Sequence, residues 1–243
     1  MTEQQKKIRV GLVFGGRSGE HEVSLASARA VLANLDPEKY EVVPIGITKA
    51  GSWLLTEPQQ LQVAEEQVHT MLDTAPTAQT TAVTLTGDPS VRRLIPVQSG
   101  PDLGNHGMLD VILPVLHGTY GEDGSLQGLL DMANLPYVGC GVLGAALGMD
   151  KEKMKMVFES ADLPNVAYLV FRRREWELAP ASILDRIEQH LRYPTFVKPV
   201  NLGSSVGINK AHNRQELEHA INVAAEYDRK IIVEQGINCR EFE

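Results

Sequence analysis

Residues 8–14 read Ile-Arg-Val-Gly-Leu-Val-Phe and stop at Gly15-Gly16. A run this apolar, closed by two glycines, is the pattern of a strand buried on both faces, and such strands belong to parallel sheets wrapped by helices. The chain that follows obeys this constraint. Ser24 is placed to cap a helix whose apolar side is Leu25, Ala28, Val31, Leu32 and Leu35, a 3.6-residue spacing. Asp36-Pro37 ends it, because proline disfavours helix in the residue before it. Val42 to Thr48 predicts a second strand and Leu109 to Leu116 a third, while Leu126, Leu129, Leu130 and Ala133 mark a helix closed before Pro136. Strands alternating with helices predict an α/β sheet, parallel and covered on both sides, with right-handed crossovers. Glutamines and threonines dominate between Gly51 and Gly107, predicting a polar insertion at the surface (about 56–105). A short hairpin is expected within it, from Ala82 to Leu85 and Leu94 to Val97, turning at Gly87-Asp88-Pro89.

A second pattern begins near Asp150. Lys151 to Ala161 reads as a helix with Met154, Val157, Phe158 and Ala161 on one side, followed by a strand from Val166 to Phe171. Pro180 to Leu191 is a helix with Ile183, Leu184, Ile187 and Leu191 inward. Thr195 to Pro199 and Val206 to Lys210 are strands with no helix between them, which implies an antiparallel hairpin. Asn213 with Glu216 looks like a helix start, Leu217, Ala220, Ile221 and Ala224 continue that helix, and Lys230 to Glu234 is a strand. This half is therefore α+β and a separate domain.

Composition removes whole classes of function. With 31 acidic against 23 basic residues in 243, the net charge is −8, the wrong sign for a dedicated nucleic-acid binder. The longest apolar run, Val111 to Leu116, is far below the ~18 residues of a membrane span. Met1 to Arg9 is a polar tail without the apolar stretch of a leader. Cys140 and Cys239 form no CxxC, so two reduced thiols in the cytosol is the expectation.

Two loops carry chemistry. Gly203-Ser204-Ser205-Val206-Gly207 joins two strands, and its successive N–H groups and hydroxyls could wrap a nucleotide phosphate. Lys198, in an otherwise apolar strand, either reaches solvent past a tight hairpin or meets a negative group. Lys151 is a second cation within reach, or one of a solvated Lys151/Lys153/Lys155 set. Glu234 and Glu241 bracket the exit of the last strand and could accept from a base or ribose, or be surface glutamates. In the first half, Gly15 to Ser24 and His117 to Gly124 lie beyond the carboxyl ends of two strands, where open sheets bind ligands. Glu20 for an ammonium and His117 near a carboxylate would suit an amino acid. Gly139-Cys140-Gly141-Val142-Leu143-Gly144 satisfies GxGxxG, but no robust strand precedes it and no βαβ unit surrounds it, which argues against a dinucleotide site. The Walker pattern GxxxxGK[ST] is absent.

Four segments, GGRSGEHEVS (15–24), HGTYGEDGSLQGLLDMANLPYVGCGV (117–142), MDKEKMK (149–155) and VKPVNLGSSVG (197–207), resemble D-alanine–D-alanine ligases of the ATP-grasp superfamily, in family order and with matching spacing. The resemblance implies a parallel-sheet, Rossmann-like pre-ATP-grasp domain over 1–140 that binds D-alanine. The α+β first lobe of an ATP-grasp fold would follow over 141–235, and the start of the other lobe over 236–243. It further implies a cytoplasmic homodimer that binds neither nucleic acid nor membrane, and that joins two D-alanines with ATP and Mg2+ (or Mn2+) for peptidoglycan.

Carried over by residue, Glu20 would bind the first ammonium, Ser204 would link to Glu20, and His117 would lie near the first carboxylate. Gly15, Gly16, Val23 and Ser24 would line that site. Lys151 and Lys198 would contact ATP phosphates under the loop of Gly203, Ser204, Ser205 and Val206, while Glu234, Gln235, Ile237 and Glu241 would hold adenine and ribose. The implied chemistry is attack of the first carboxylate on the γ-phosphate, then displacement of phosphate by the second amine. The family continues beyond Glu243 with the metal ligands and an oxyanion-binding arginine. The second lobe and every metal ligand are thus expected to be missing, and the chain alone is expected to make no dipeptide. The alternatives are a sister ligase forming D-alanyl-D-lactate or D-alanyl-D-serine, and a non-catalytic module binding D-alanine or nucleotide.

Overall fold

The computed structural model describes residues 6–62, 80–97, 103–203 and 205–240. The chain divides into two compact units, Met1–Ala146 and Leu147–Glu243, with the division inside the helix Val142–Met149.

In the first unit, β1 (Ile8–Gly15) lies at the junction of the sheet, flanked in parallel by β2 (Tyr40–Ile47) and β6 (Val111–Pro114). Its residues alternate between two cores, as the two-residue repeat of a strand requires. Leu12 and Phe14 pack with Leu25 and Ala28 of helix α1 (His21–Asn34). Val13 faces the opposite layer, which contains Leu126 and Leu130 of the helix Ser125–Met132. Burying such side chains stabilises by roughly 1.5–3 kcal/mol each.

The expectation of a parallel sheet holds for β1, β2 and β6 only. Three strands, β3 (Trp53–Leu55), β4 (Thr81–Thr84) and β5 (Ile95–Pro96), extend it antiparallel in the order β5-β4-β3-β2-β1-β6. The turn between β2 and β3, closed by Thr48 N–H to Ser52 O at 2.9 Å, is far too short for a crossover helix, and a short connection permits only antiparallel pairing. The expected hairpin is present as β4 and β5, but the stretch containing it is no mere surface insertion: Val83, Leu85 and Leu94 are buried in the core. A second correction concerns α1, which begins at His21 rather than after Ser24.

The second unit is a four-stranded antiparallel sheet in the order β7-β10-β8-β9, made of β7 (Tyr168–Arg172), β8 (Thr195–Pro199), β9 (Asn209–Ala211) and β10 (Lys230–Gln235). The helices Pro180–His190 and Arg214–Tyr227 supply Ile183, Leu184, Ile187, Leu217, Ala220 and Ile221 to the core against Val197, Ile231 and Val233. Asn213 caps the second of them by accepting from Glu216 N–H at 3.0 Å, as its sequence predicts. Lys198 and Glu234 fall on the opposite face by strand alternation. The helix Lys151–Ser160 corrects its apolar reading: Val157 and Phe158 are exposed, and its buried residue is Lys155. Among the described residues no helix is long and apolar enough to cross a membrane.

Candidate active site

The parallel pairing of β1 with β6 brings their carboxyl ends side by side, and with them the two loops singled out from the sequence. Gly15 and Gly16 both have positive φ, 86° and 99°, a region open to glycine and strained for other residues. The chain can therefore turn off the strand while Gly16 N–H bonds to Ile47 O at 2.8 Å. Beside that turn is a recess of about 230 Å³, lined by Gly15, Gly16, Arg17, Leu116, His117 and Tyr120 among others. It is smaller than the ~300–1,000 Å³ clefts that hold drug-sized ligands and suits something of amino-acid size. Arg17 lies over the Tyr120 ring at 4.7 Å.

Glu20, the residue before α1, lies against the His117 loop, because a Cβ on Gly118 would collide with the Glu20 carboxylate. Ser18 joins the two loops through the backbone: its hydroxyl donates to His117 O (2.6 Å) and accepts from Glu20 N–H (3.2 Å). Glu122 and Asp123 secure the second loop by accepting from Gly118 N–H and Tyr120 N–H at 2.7 and 2.9 Å. Ser24 does not face the recess. It is buried, its hydroxyl accepting from Gly15 N–H (2.8 Å) and donating to Val115 O (2.6 Å), so it ties the two strand ends together. Val23 is exposed and does not line the recess.

In the second unit, Lys198 and Glu234 are diagonal neighbours on antiparallel strands, Lys198 pairing in register with Ile232, and such diagonals are within reach of long side chains. Lys198 Nζ is 2.5 Å from Glu234 Oε2, and Lys155 Nζ is 2.9 Å from Oε1. Burial pushes the Glu234 carboxyl up, but the hydrogen bonds from Lys198 and Lys155 outweigh it and hold the group below the usual carboxylate range. Glu234, expected to meet a base or ribose, instead has both oxygens engaged by lysines. Lys151 donates to Leu202 O (2.5 Å) and Val200 O (3.3 Å) at the entrance to the Gly/Ser loop. Burial, and then the nearby positive charge of Lys198, push its ammonium below the ordinary lysine value.

Within the loop, Val206 N–H closes a turn onto Gly203 O at 3.2 Å, and Ser205 and Gly207 have positive φ of 58° and 72°. Ser204 and Glu241 lie outside the described residues. The Gln235 side chain is committed to the 192–194 segment, accepting from Arg192 N–H (2.6 Å) and donating to Arg192 O (2.7 Å). Ile237 is exposed beyond the end of β10. A larger recess of about 740 Å³ lies elsewhere in this unit, between Arg172, Arg229, Lys230, Asp150 and Asn201. No residue of the expected nucleotide set lines it, and its Lys230 is neutralised by Asp150 and Glu152.

Sequence reading passed over Ser27 and placed Lys155 only in a solvated set, whereas it is buried. Lys155 is buried against Glu234, Asn165 (3.3 Å) and the Tyr168 ring. Its signal was available: Lys151 and Lys155 are four residues apart on one helix, hence on one face, whereas Lys153 is not. Ser27 holds the His117 ring, its Oγ 2.9 Å from Nε2, and it lies three residues after Ser24 on the same helix.

The family model described as D-ala D-ala ligase N-terminus matches residues 9–140, and that described as D-ala D-ala ligase C-terminus matches 157–243. Curated D-alanine–D-alanine ligases from Ruminiclostridium cellulolyticum and Chloroherpeton thalassium are 46% and 48% identical over 243 and 237 residues, covering 98% of this chain and 63% of each relative. The chain therefore spans less than two thirds of the length of those relatives. Among solved structures, the VanG D-Ala:D-Ser ligase from Enterococcus faecalis matches with a TM-score of 0.79 at 35% identity, covering 96% of this chain and 64% of that one. The D-alanine–D-alanine ligase from Coxiella burnetii matches with a TM-score of 0.78 at 32% identity, covering 95% of this chain and 62% of that one. Two consecutive family models account for both units, and nearly half of the aligned residues are shared with the curated relatives. On that footing this chain belongs to the D-alanine–D-alanine ligase family.

Proposed function

We propose that the protein acts as an ATP-dependent ligase joining two D-alanines for peptidoglycan. The first unit would hold the first D-alanine and the second unit the nucleotide phosphates. His117, which lines the 230 Å³ recess, takes the carboxylate of an amino acid there. Glu20, which is not among the lining residues but lies against Gly118 next to it, takes the ammonium. The glycine turn lets the backbone come close. Lys151 and Lys198 take the phosphates, with the Gly203–Gly207 loop, Ser204 included, over them, and exposed Ile237 offers an apolar contact to the base. Phosphoryl transfer depends chiefly on positioning and charge neutralisation, which Lys151, the net positive charge of two lysines sharing Glu234, and the loop amides supply. Mg2+ or Mn2+ adds neutralisation at the phosphates when bound. Among the described residues no group of three His, Cys, Asp or Glu is placed to hold a metal, so no residue here is assigned to it. The protein is further proposed to be cytoplasmic and dimeric.

The observation that carries this reading is the state of Lys151. Its ammonium is disfavoured by burial and by a like charge, and nothing negative bonds to it among the described residues. A polyanion would relieve both costs. Calorimetric titration of the chain with ATP should therefore show proton uptake on the alkaline side, below the ordinary lysine value of 10.5. Lys151→Ala should weaken binding by about 10- to 100-fold, the worth of a hydrogen bond between charged groups. Equal affinity in the variant, with no proton uptake, would contradict the assignment.

The likeness to a D-Ala:D-Ser ligase supports a second reading in which the acceptor is D-serine; a sister D-lactate ligase is the same kind of variant. Both share the first D-alanine site. Because the chain alone is expected to make no dipeptide, the two readings are separated in a ligase of full family length carrying these residues. It is offered D-alanine, D-serine and D-lactate together, with D-alanyl-D-alanine as the expected product.

A further inference from the structure

We infer that Ser27 is a positioning residue for His117, keeping the imidazole proton on Nδ1 so that the ring donates to a substrate carboxylate without carrying a charge. The inference rests on the proposed first D-alanine site and adds to it the residue that orients its imidazole.

The inward edge of α1 carries two hydroxyls one turn apart. Ser24 fixes backbone, joining Gly15 N–H to Val115 O. Ser27, one turn on, meets the side chain two residues beyond Val115, with Oγ 2.9 Å from His117 Nε2. Ser18 meanwhile holds His117 by its carbonyl at 2.6 Å. The main chain of His117 is thus anchored on one side and its Nε2 on the other. His117 lines the 230 Å³ recess, and Nδ1 has no hydrogen-bond partner among the described residues.

A neutral imidazole donates from one nitrogen and accepts at the other, and the bond made by one sets the role of the other. A hydroxyl donating to Nε2 leaves the proton on Nδ1, the atom that remains for a ligand. The same hydroxyl can turn and accept from Nε2–H should the ring become charged, so the orientation survives either protonation state.

The test uses nitrogen-15-labelled histidine in the 243-residue chain, read by NMR at a pH where the ring is neutral. Wild type should show His117 protonated at Nδ1. Ser27→Ala should shift it to a mixture rich in the Nε2–H form, and Ser27→Thr, which keeps the hydroxyl, should restore the wild-type pattern. A merely structural serine would leave this ratio unmoved, and thermal melts of the three proteins establish that each is folded. Wild type protonated at Nε2, or a Ser27→Ala spectrum identical to wild type, would overturn the inference. D-alanine is then titrated into each protein. Ser27→Ala should bind about tenfold more weakly, with Ser27→Thr near wild type. If D-alanine leaves His117 unmoved in wild type, the reading of the recess as its site fails, while the tautomer measurement still decides the role of Ser27.

Discussion

Glu234 shows how one residue joins stability to the proposed chemistry. Its carboxylate is shared by two lysines, all three side chains being no more than a quarter exposed. A buried charge stripped of its partner is costly, so Glu234→Gln, which leaves Lys155 and Lys198 uncompensated, should destabilise the second unit by about 3 kcal/mol. The pH dependence has a definite sign. Because the folded carboxyl sits below the ordinary glutamate value of 4.5, its contribution is complete above that value and is lost as pH falls through the lowered one. Denaturant melts of wild type and variant should therefore differ by a constant amount near neutrality and converge in acid. A gap that widened in acid would refute the pairing. His117 and Glu20 belong to the same scale: each was singled out by residue type and position, yet the serines that hold them, Ser18 and Ser27, came to light only when α1 and the two loops were seen together.

At the scale of elements, the junction of β1, β6 and α1 depends on Ser24. Ser24→Ala would leave a buried Gly15 N–H without its acceptor and Val115 O without its donor, at a cost of about 1–3 kcal/mol. Hydrogen exchange at Gly15 should accelerate, and D-alanine affinity should fall with the loss of the aligned strand ends. Unchanged protection at Gly15 would contradict this role. The sequence pattern had marked Ser24 as a cap, since serine before an apolar helical run usually is one. A serine inside the first turn that bonds back to Gly15 and across to Val115, 91 residues on, has no local signature.

Legibility elsewhere followed the same division. Buried strands and the helices from Pro180 and from Arg214 could be read because their apolar periodicity is strong and local. The β4–β5 hairpin was legible from its turn, but its antiparallel attachment to the sheet through β3 was not, because β3 is three residues long and its partners are set by tertiary pairing. On Lys151–Ser160 the apolar stripe misled because the helix turns Lys155 inward, toward Glu234. A spacing of four between Lys151 and Lys155 was the better guide.

For the whole molecule, two units divide the proposed labour. A mixed sheet presents a small recess at its strand ends, and an antiparallel sheet presents crowded lysines beside a Gly/Ser loop. The most direct measurement of that division is backbone NMR of the 243-residue chain titrated separately with D-alanine and with ATP. D-alanine should move signals at Gly15, Gly16, His117 and Gly118, and ATP those at Lys151, Lys198 and Gly203 to Gly207, each set responding to its own ligand. ATP moving the first set, or D-alanine leaving it still, would contradict the assignment of amino-acid and nucleotide sites to these two units.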